Sequence, residues 1–204
     1  MNGRKAASGP SPQGMQLHDG EGRRLYLTEA ERRAFSAAAA QARREVRTLC
    51  GVLHATGCRI SEALGLTAER IDLAGRVIVF ESLKKRRTGI FRAVPVPPEL
   101  LDALDLVHGI REAQRRSQAK ALLWPWSRMT AFRRVQQVMR AAAIPDGPHA
   151  CPKGLRHGFG VHAVSRGIAL NMVQKWLGHA QLTTTAIYAN AVGEEEQSIA
   201  ARMW

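Results

Sequence analysis

The stretch Ala55-Thr56-Gly57-Cys58-Arg59-Ile60-Ser61-Glu62-Ala63-Leu64 decides how this chain is read. A helix running from about Arg43 to Thr56 meets Gly57, the residue type that most readily ends a helix in the left-handed conformation. A short helical turn then follows, and its i, i+3 spacing puts Arg59 and Glu62 on one face. The stretch therefore closes one helix, opens another, and sets an arginine beside a carboxylate.

Upstream, Thr28-Glu29-Ala30-Glu31 is a capping box: a threonine oxygen meets an orphan amide and Glu31 reaches back to the cap. An alanine-rich helix follows it. Residues 1–24 are rich in Gly, Pro, Ser and Gln and lack the apolar stretch of a signal peptide. Their composition predicts a disordered polar leader ahead of one folded domain over 25–204. Downstream, Arg76–Phe80 and Phe91–Val96 are β-rich. The basic loop Lys84-Lys85-Arg86-Arg87-Thr88-Gly89 between them makes the segment an antiparallel hairpin. From Pro97 the pattern is helical, with Leu100, Leu101, Leu104 and Val107 at helical spacing. Further helices are expected at about Arg128–Ala142, Lys153–Ser165, Leu170–Leu177, Thr183–Ala191 and Glu194–Met203. The expected fold class is mainly α with a small antiparallel β-sheet (α+β).

Charge says more about partners than about fold. The 204 residues hold 30 Lys+Arg against 17 Asp+Glu, a net charge of +13, and such a surface attracts polyanions, nucleic acid first among them. Cys50, Cys58 and Cys151 are scattered and odd in number, which argues against a disulfide framework or a zinc ribbon and fits a reducing, cytoplasmic setting. No apolar run nears the roughly 20 residues that span a bilayer, so no membrane partner is expected.

Three separated segments carry chemistry: Thr56-Gly57-Cys58-Arg59-Ile60-Ser61-Glu62-Ala63-Leu64, then Pro152-Lys153-Gly154-Leu155-Arg156-His157, then Leu177-Gly178-His179 with Thr185-Ala186-Ile187-Tyr188. In their order and local sequence they resemble the tyrosine recombinase (phage integrase) family: its T-G-x-R-x-x-E-x-L, H-x-L-R-H and L-G-H…T…Y boxes. The resemblance runs from about Leu25 to the C-terminus, and a catalytic domain of that family's fold is what it implies.

The resemblance implies a site-specific DNA recombinase that cuts and rejoins strands through a 3′-phosphotyrosyl link, whether for integration, excision, inversion or resolution. Tyr188 would be the nucleophile. Arg59 and Arg156 would hold the non-bridging phosphate oxygens, since a planar guanidinium offers paired donors. Lys84 on the hairpin loop, with Lys85 as the alternative, would protonate the leaving 5′-oxygen. His179 would donate to a phosphate oxygen, and Glu62 would hold Arg59 in place. Lys85, Arg86 and Arg87 would contact DNA. No cofactor and no metal is implied. The partners implied are double-stranded DNA, other copies forming a tetramer on paired sites from a monomer in solution, and helper proteins.

Two departures stand out. Lys153 occupies the place where the family usually has histidine; it can donate a proton or hydrogen bond, but its reference pKa of about 10.4 unfits it as a base at neutral pH. Only a polar leader precedes Thr28, where most members carry a helical core-binding domain of on the order of 100 residues. The chain thus resembles the small members that consist of the catalytic domain alone. A DNA-binding protein of this fold with lost chemistry, marked by Lys153, and a type IB topoisomerase remain alternatives.

Taken singly, each residue has a plainer reading. Arg59 with Glu62 could be a surface ion pair, Tyr188 a packed aromatic, and His157 a structural histidine bonded to a backbone group. The set His149, Cys151, His157 and His162 lacks the spacing of a metal site. The apolar strip Ile199, Met203 and Trp204 would dock either on a neighbouring subunit or on its own domain.

Overall fold

The computed structural model describes residues 16–82, 89–116 and 119–190, with Gln197, Ala200, Ala201 and Met203 beyond them. The first helix, α1 (Glu29–Ala40), starts on the expected capping box, with Thr28 and Glu31 each bonding the other's backbone N–H. Next come α2 (Arg44–Thr56) and the short α3 (Ile60–Leu64), separated by Gly57 at φ 60°. A 3-10 turn then leads into a three-stranded antiparallel sheet in the order β1 (Ile71–Asp72), β2 (Val77–Glu81), β3 (Phe91–Pro95).

The β2–β3 hairpin forms as the alternation predicts, pairing Ile78 with Val94 and Phe80 with Arg92 on the buried face. Two elements were not legible in the sequence. Strand β1 is too short to show a period, and α5 (Ile110–Arg115) is split from α4 (Pro98–His108) only by Gly109 in the left-handed conformation. The expected helices after Pro97 otherwise appear as α4, α6 (Arg128–Ala141), α7 (Pro152–Ser165) and α8 (Leu170–Leu177). The expected Thr183–Ala191 helix is α9 (Thr183–Ala186) continued by a 3-10 turn, Ile187–Asn190.

Helix α7 organises the packing. Most of its residues are buried, including Arg156 and His157. Leu155 joins the main core with Phe35, Leu49, Leu104 and Trp124, whereas Phe159 and Val161 belong to a smaller core with Val173, Leu177 and Tyr188. Residues 16–24, counted with the leader on composition, pair His18 with Arg24 and bury Leu17 against this smaller core. The hairpin loop carrying Lys84, Lys85, Arg86 and Arg87 lies outside the described residues, as do Ile199, Trp204 and most of the segment expected as a terminal helix.

Candidate active site

Helices α2 and α8 both end on a glycine of positive φ, Gly57 at 60° and Gly178 at 67°. Such a cap turns the chain aside and leaves terminal carbonyls, the negative end of the helix dipole, open to a cation. Arg156, coming from α7, fills that role for both. Its Nη1 donates to the Gly57 carbonyl and its Nη2 to the Leu177 carbonyl, each at 2.8 Å. One buried guanidinium thereby ties together all three boxes of the sequence. Burial, and then the charge of Arg59, pull its pKa down to about 10, which leaves it cationic at neutral pH.

Arg59 caps α3 and is held by Glu62. The carboxylate accepts from the Arg59 backbone N–H at 2.8 Å and from its Nη1 at 2.9 Å. The expected pairing is present, but Glu62 has a second partner that sequence reading missed. Arg92 donates Nη2 to Oε2 of Glu62 at 2.6 Å and Nε to the Trp176 carbonyl at 2.8 Å. Burial alone would raise the Glu62 pKa, yet the hydrogen bonds and charges of Arg92 and Arg59 outweigh it and hold the carboxyl below its usual range. The signal for Arg92 was available: it sits on the inward phase of β3, where an arginine needs a buried acceptor.

Arg59, Arg128, Lys153 and Arg156 line one cleft of about 340 Å³, together with Ile60, Phe132 and Cys151 and with no carboxylate among the lining residues. Lys153 stands in the first turn of α7, where a cation opposes the helix dipole. A local rule is broken there, and an anion in the cleft would offset it. Arg128, in the first turn of α6, breaks the same rule and was also missed. The cleft suits an oxyanion such as a phosphodiester.

Tyr188 is completely buried and is not among the residues lining this cleft. Its ring runs nearly parallel to that of His179 in an offset arrangement, with centroids 6.1 Å apart and planes at 19°. Nδ1 of His179 is 2.9 Å from the Thr185 hydroxyl, which sets the imidazole's orientation. The Tyr188 hydroxyl is 3.3 Å from Nδ1 of His157. His157 therefore faces a side chain of the site, where the sequence suggested a backbone partner. Burial raises the Tyr188 pKa to about 12 although Arg156 and Arg59 lower it, so the phenol is neutral at rest.

The structure thus gathers Arg59, Lys153 and Arg156 on one cleft, packs His179 and Tyr188 together, and seats Glu62 beneath Arg59. Lys84, Lys85, Arg86 and Arg87 lie outside the described residues. Among the described residues no group of three or more His, Cys, Asp or Glu side chains is placed to hold a metal, and no helix is long and apolar enough to cross a membrane.

Comparison with known proteins gives relatives in sequence and in fold. The chain is 36% identical over 150 residues to the tyrosine recombinase XerD of Mycobacterium tuberculosis (strain ATCC 25618 / H37Rv), covering 70% of this chain and 46% of that protein. It is 30% identical over 157 residues to the tyrosine recombinase XerA of Pyrococcus furiosus, covering 72% and 51% respectively. The chain spans about half the length of these curated relatives. The crystal structure of XerA recombinase superposes with a TM-score of 0.72 at 24% identity, over 88% of this chain and 65% of that one. XerH site-specific recombinase, in its pre-cleavage complex with difH substrate, gives 0.69 at 20% identity over 92% and 59%. Both share the fold. The model of the phage integrase family matches residues 25–195, and the chain belongs to that family.

Proposed function

We propose that this chain is a site-specific DNA recombinase, cleaving and rejoining strands through a covalent bond between Tyr188 and DNA. The observation that carries the reading is the Arg156 guanidinium, which bonds the Gly57 and Leu177 carbonyls and so brings the cationic cleft and the tyrosine to one place. Residues 25–204 act in this reading as one catalytic domain on double-stranded DNA.

The chemistry follows from the charges. A scissile phosphate enters the cleft of Arg59, Arg128, Lys153 and Arg156. Arg59 and Arg156 hold its non-bridging oxygens, and preorganised cations favour the extra charge of the pentavalent transition state over the ground state. Tyr188 leaves its buried seat, passes its proton to solvent water as it reaches the cleft, and its oxygen bonds the phosphorus as the bond to the 5′-oxygen breaks. Lys84, or Lys85 in its stead, gives the departing oxygen a proton. Lys153 adds a cation or hydrogen bond where the family usually has histidine, and His179 donates to a phosphate oxygen. The bond energy stays in the phosphotyrosine, so religation runs back without a nucleotide cofactor. Assembly as a tetramer on paired sites, from a monomer in solution and with helper proteins, belongs to the same proposal.

The test is covalent trapping on nicked duplexes tiled through the DNA flanking the gene, with wild type and Tyr188→Phe run on denaturing gels. A detergent-resistant adduct that vanishes in the phenylalanine variant is the expected result. Salt-sensitive binding with no adduct on any duplex would favour a binding protein of the same fold.

A further inference from the structure

Tyr188 is more than covered; it has a seat built for its ring and its hydroxyl. Gly160 forms the floor. A Cβ at that position would stand 2.6 Å from Cε2 and Cζ of the tyrosine ring, so no other residue type allows the ring this close to α7. The His179 ring forms one wall. The end of the seat is His157, itself fully buried, whose Nδ1 is the hydroxyl's partner. Its other nitrogen, Nε2, has no hydrogen-bond partner among the described residues.

This pairing has a direction. A phenol is a strong donor and a weak acceptor, whereas the lone pair of a neutral imidazole is a strong acceptor. Burial, then the charges of Lys153 and Arg156, pull the His157 pKa down to about 4, so the imidazole is neutral and one nitrogen carries a free lone pair. Lys153, His157 and Gly160 follow one another on one face of α7, and Lys153 lines the cleft. The hydroxyl is therefore tied down one helical turn beneath the cleft it must reach.

We propose that His157 is a positioning residue for the nucleophile: its Nδ1 accepts the hydrogen bond of the Tyr188 hydroxyl and holds the phenol in the closed seat against Gly160 and His179, withheld from the cleft. The assignment rests on the reading of Tyr188 as nucleophile. Attack draws on the minor population in which Tyr188 has left the seat, so loosening this bond raises the population and with it the rate of cleavage. A residue needed in the chemical step itself would slow the enzyme when changed.

The chain has two tyrosines, so protein labelled with 3-fluorotyrosine gives two fluorine resonances, and Tyr188→Phe assigns them. His157→Phe keeps a ring and removes the acceptor. We expect it to move the Tyr188 resonance toward its solvent-exposed frequency and to raise single-turnover trapping on the nicked duplex about 2- to 10-fold, the shift that one neutral hydrogen bond is worth. His157→Asn, whose side-chain oxygen can occupy the Nδ1 position, restores both readouts toward wild type. An unchanged resonance and rate in His157→Phe overturns the proposal. So does a loss of about 100-fold in both variants, which marks a proton acceptor in the chemical step. A readout without change at residue 157 is the nitrogen-15 resonance of His157 Nδ1, which must shift when Tyr188→Phe removes the hydroxyl; no shift also overturns it. Absence of any wild-type adduct would sink the recombinase reading instead, while both resonance experiments still decide the role of His157 as the hydroxyl's partner.

Discussion

Nη2 of Arg92 stands 2.6 Å from Oε2 of Glu62, and both side chains are buried. Glu62 is thereby clamped between a buried arginine on β3 and the half-exposed Arg59 at the cleft, so the sheet indirectly fixes the aim of a cleft cation. Removing one member of a buried pair leaves the other charge uncompensated. Arg92→Met is expected to destabilise the fold by about 3 kcal/mol, read as a shift in denaturant midpoint. It should also slow trapping, because Arg59 loses its fixed anchor; an unchanged rate would show that Arg59 is positioned by other means.

Arg156→Lys keeps the charge and loses the fork. A lysine ammonium cannot meet the Gly57 and Leu177 carbonyls and still present paired donors to a phosphate. Trapping is expected to fall by about 100-fold or more with duplex binding nearly unchanged. Equal losses in both would place the residue's contribution in ground-state binding.

Gly160→Ala puts a methyl group into the Tyr188 ring. Overpacking of this kind costs about 1–3 kcal/mol, and the strain is relieved when Tyr188 leaves its seat. We expect a lower melting temperature together with a Tyr188 fluorine resonance moved toward the exposed frequency. A drop in stability with the resonance unmoved would mean that α7 shifts and the tyrosine does not.

Stability should depend on pH in two separate windows. Burial, and then neighbouring cations, lower His54 to about 3 and His157 to about 4 from a reference of 6.5. The unfolded chain therefore takes up these protons first. Stability is full above about pH 6.5 and falls toward pH 4, at up to about 1.4 kcal/mol per pH unit for each histidine. Glu62, held below its reference of 4.5, adds a loss that begins only under that value. Chemical denaturation between pH 7 and 4 checks this, and His54→Gln should flatten the upper window.

Arg128→Gln removes a cleft cation that does not belong to the buried network. Duplex binding should weaken to a similar degree on all sequences, and the slope of log affinity against log salt should drop by about 1. A loss confined to one sequence would instead make Arg128 a reader of bases.

Much of this molecule was legible before folding was considered. The Thr28 capping box, the stop at Gly57, the alternation in Val77–Glu81 and the helical spacing after Pro97 are local signals. Each depends on residues within a turn or two of one another, so each survives in the sequence. The three boxes are local signals too, and they singled out Arg59, Glu62, Lys153, Arg156, His179 and Tyr188.

Only the tertiary structure decided what those residues face. Arg92 meets Glu62 across 30 positions of chain, Arg156 meets Gly57 across 99, and His157 meets Tyr188 across 31. Sequence spacing carries no information about such partners, because they are brought together by the packing of α3 against the sheet and by the burial of α7 between two cores. The same packing decided that Tyr188 rests buried against Gly160. A residue type states which chemistry is available, and long-range packing sets where that chemistry is held and how it is released.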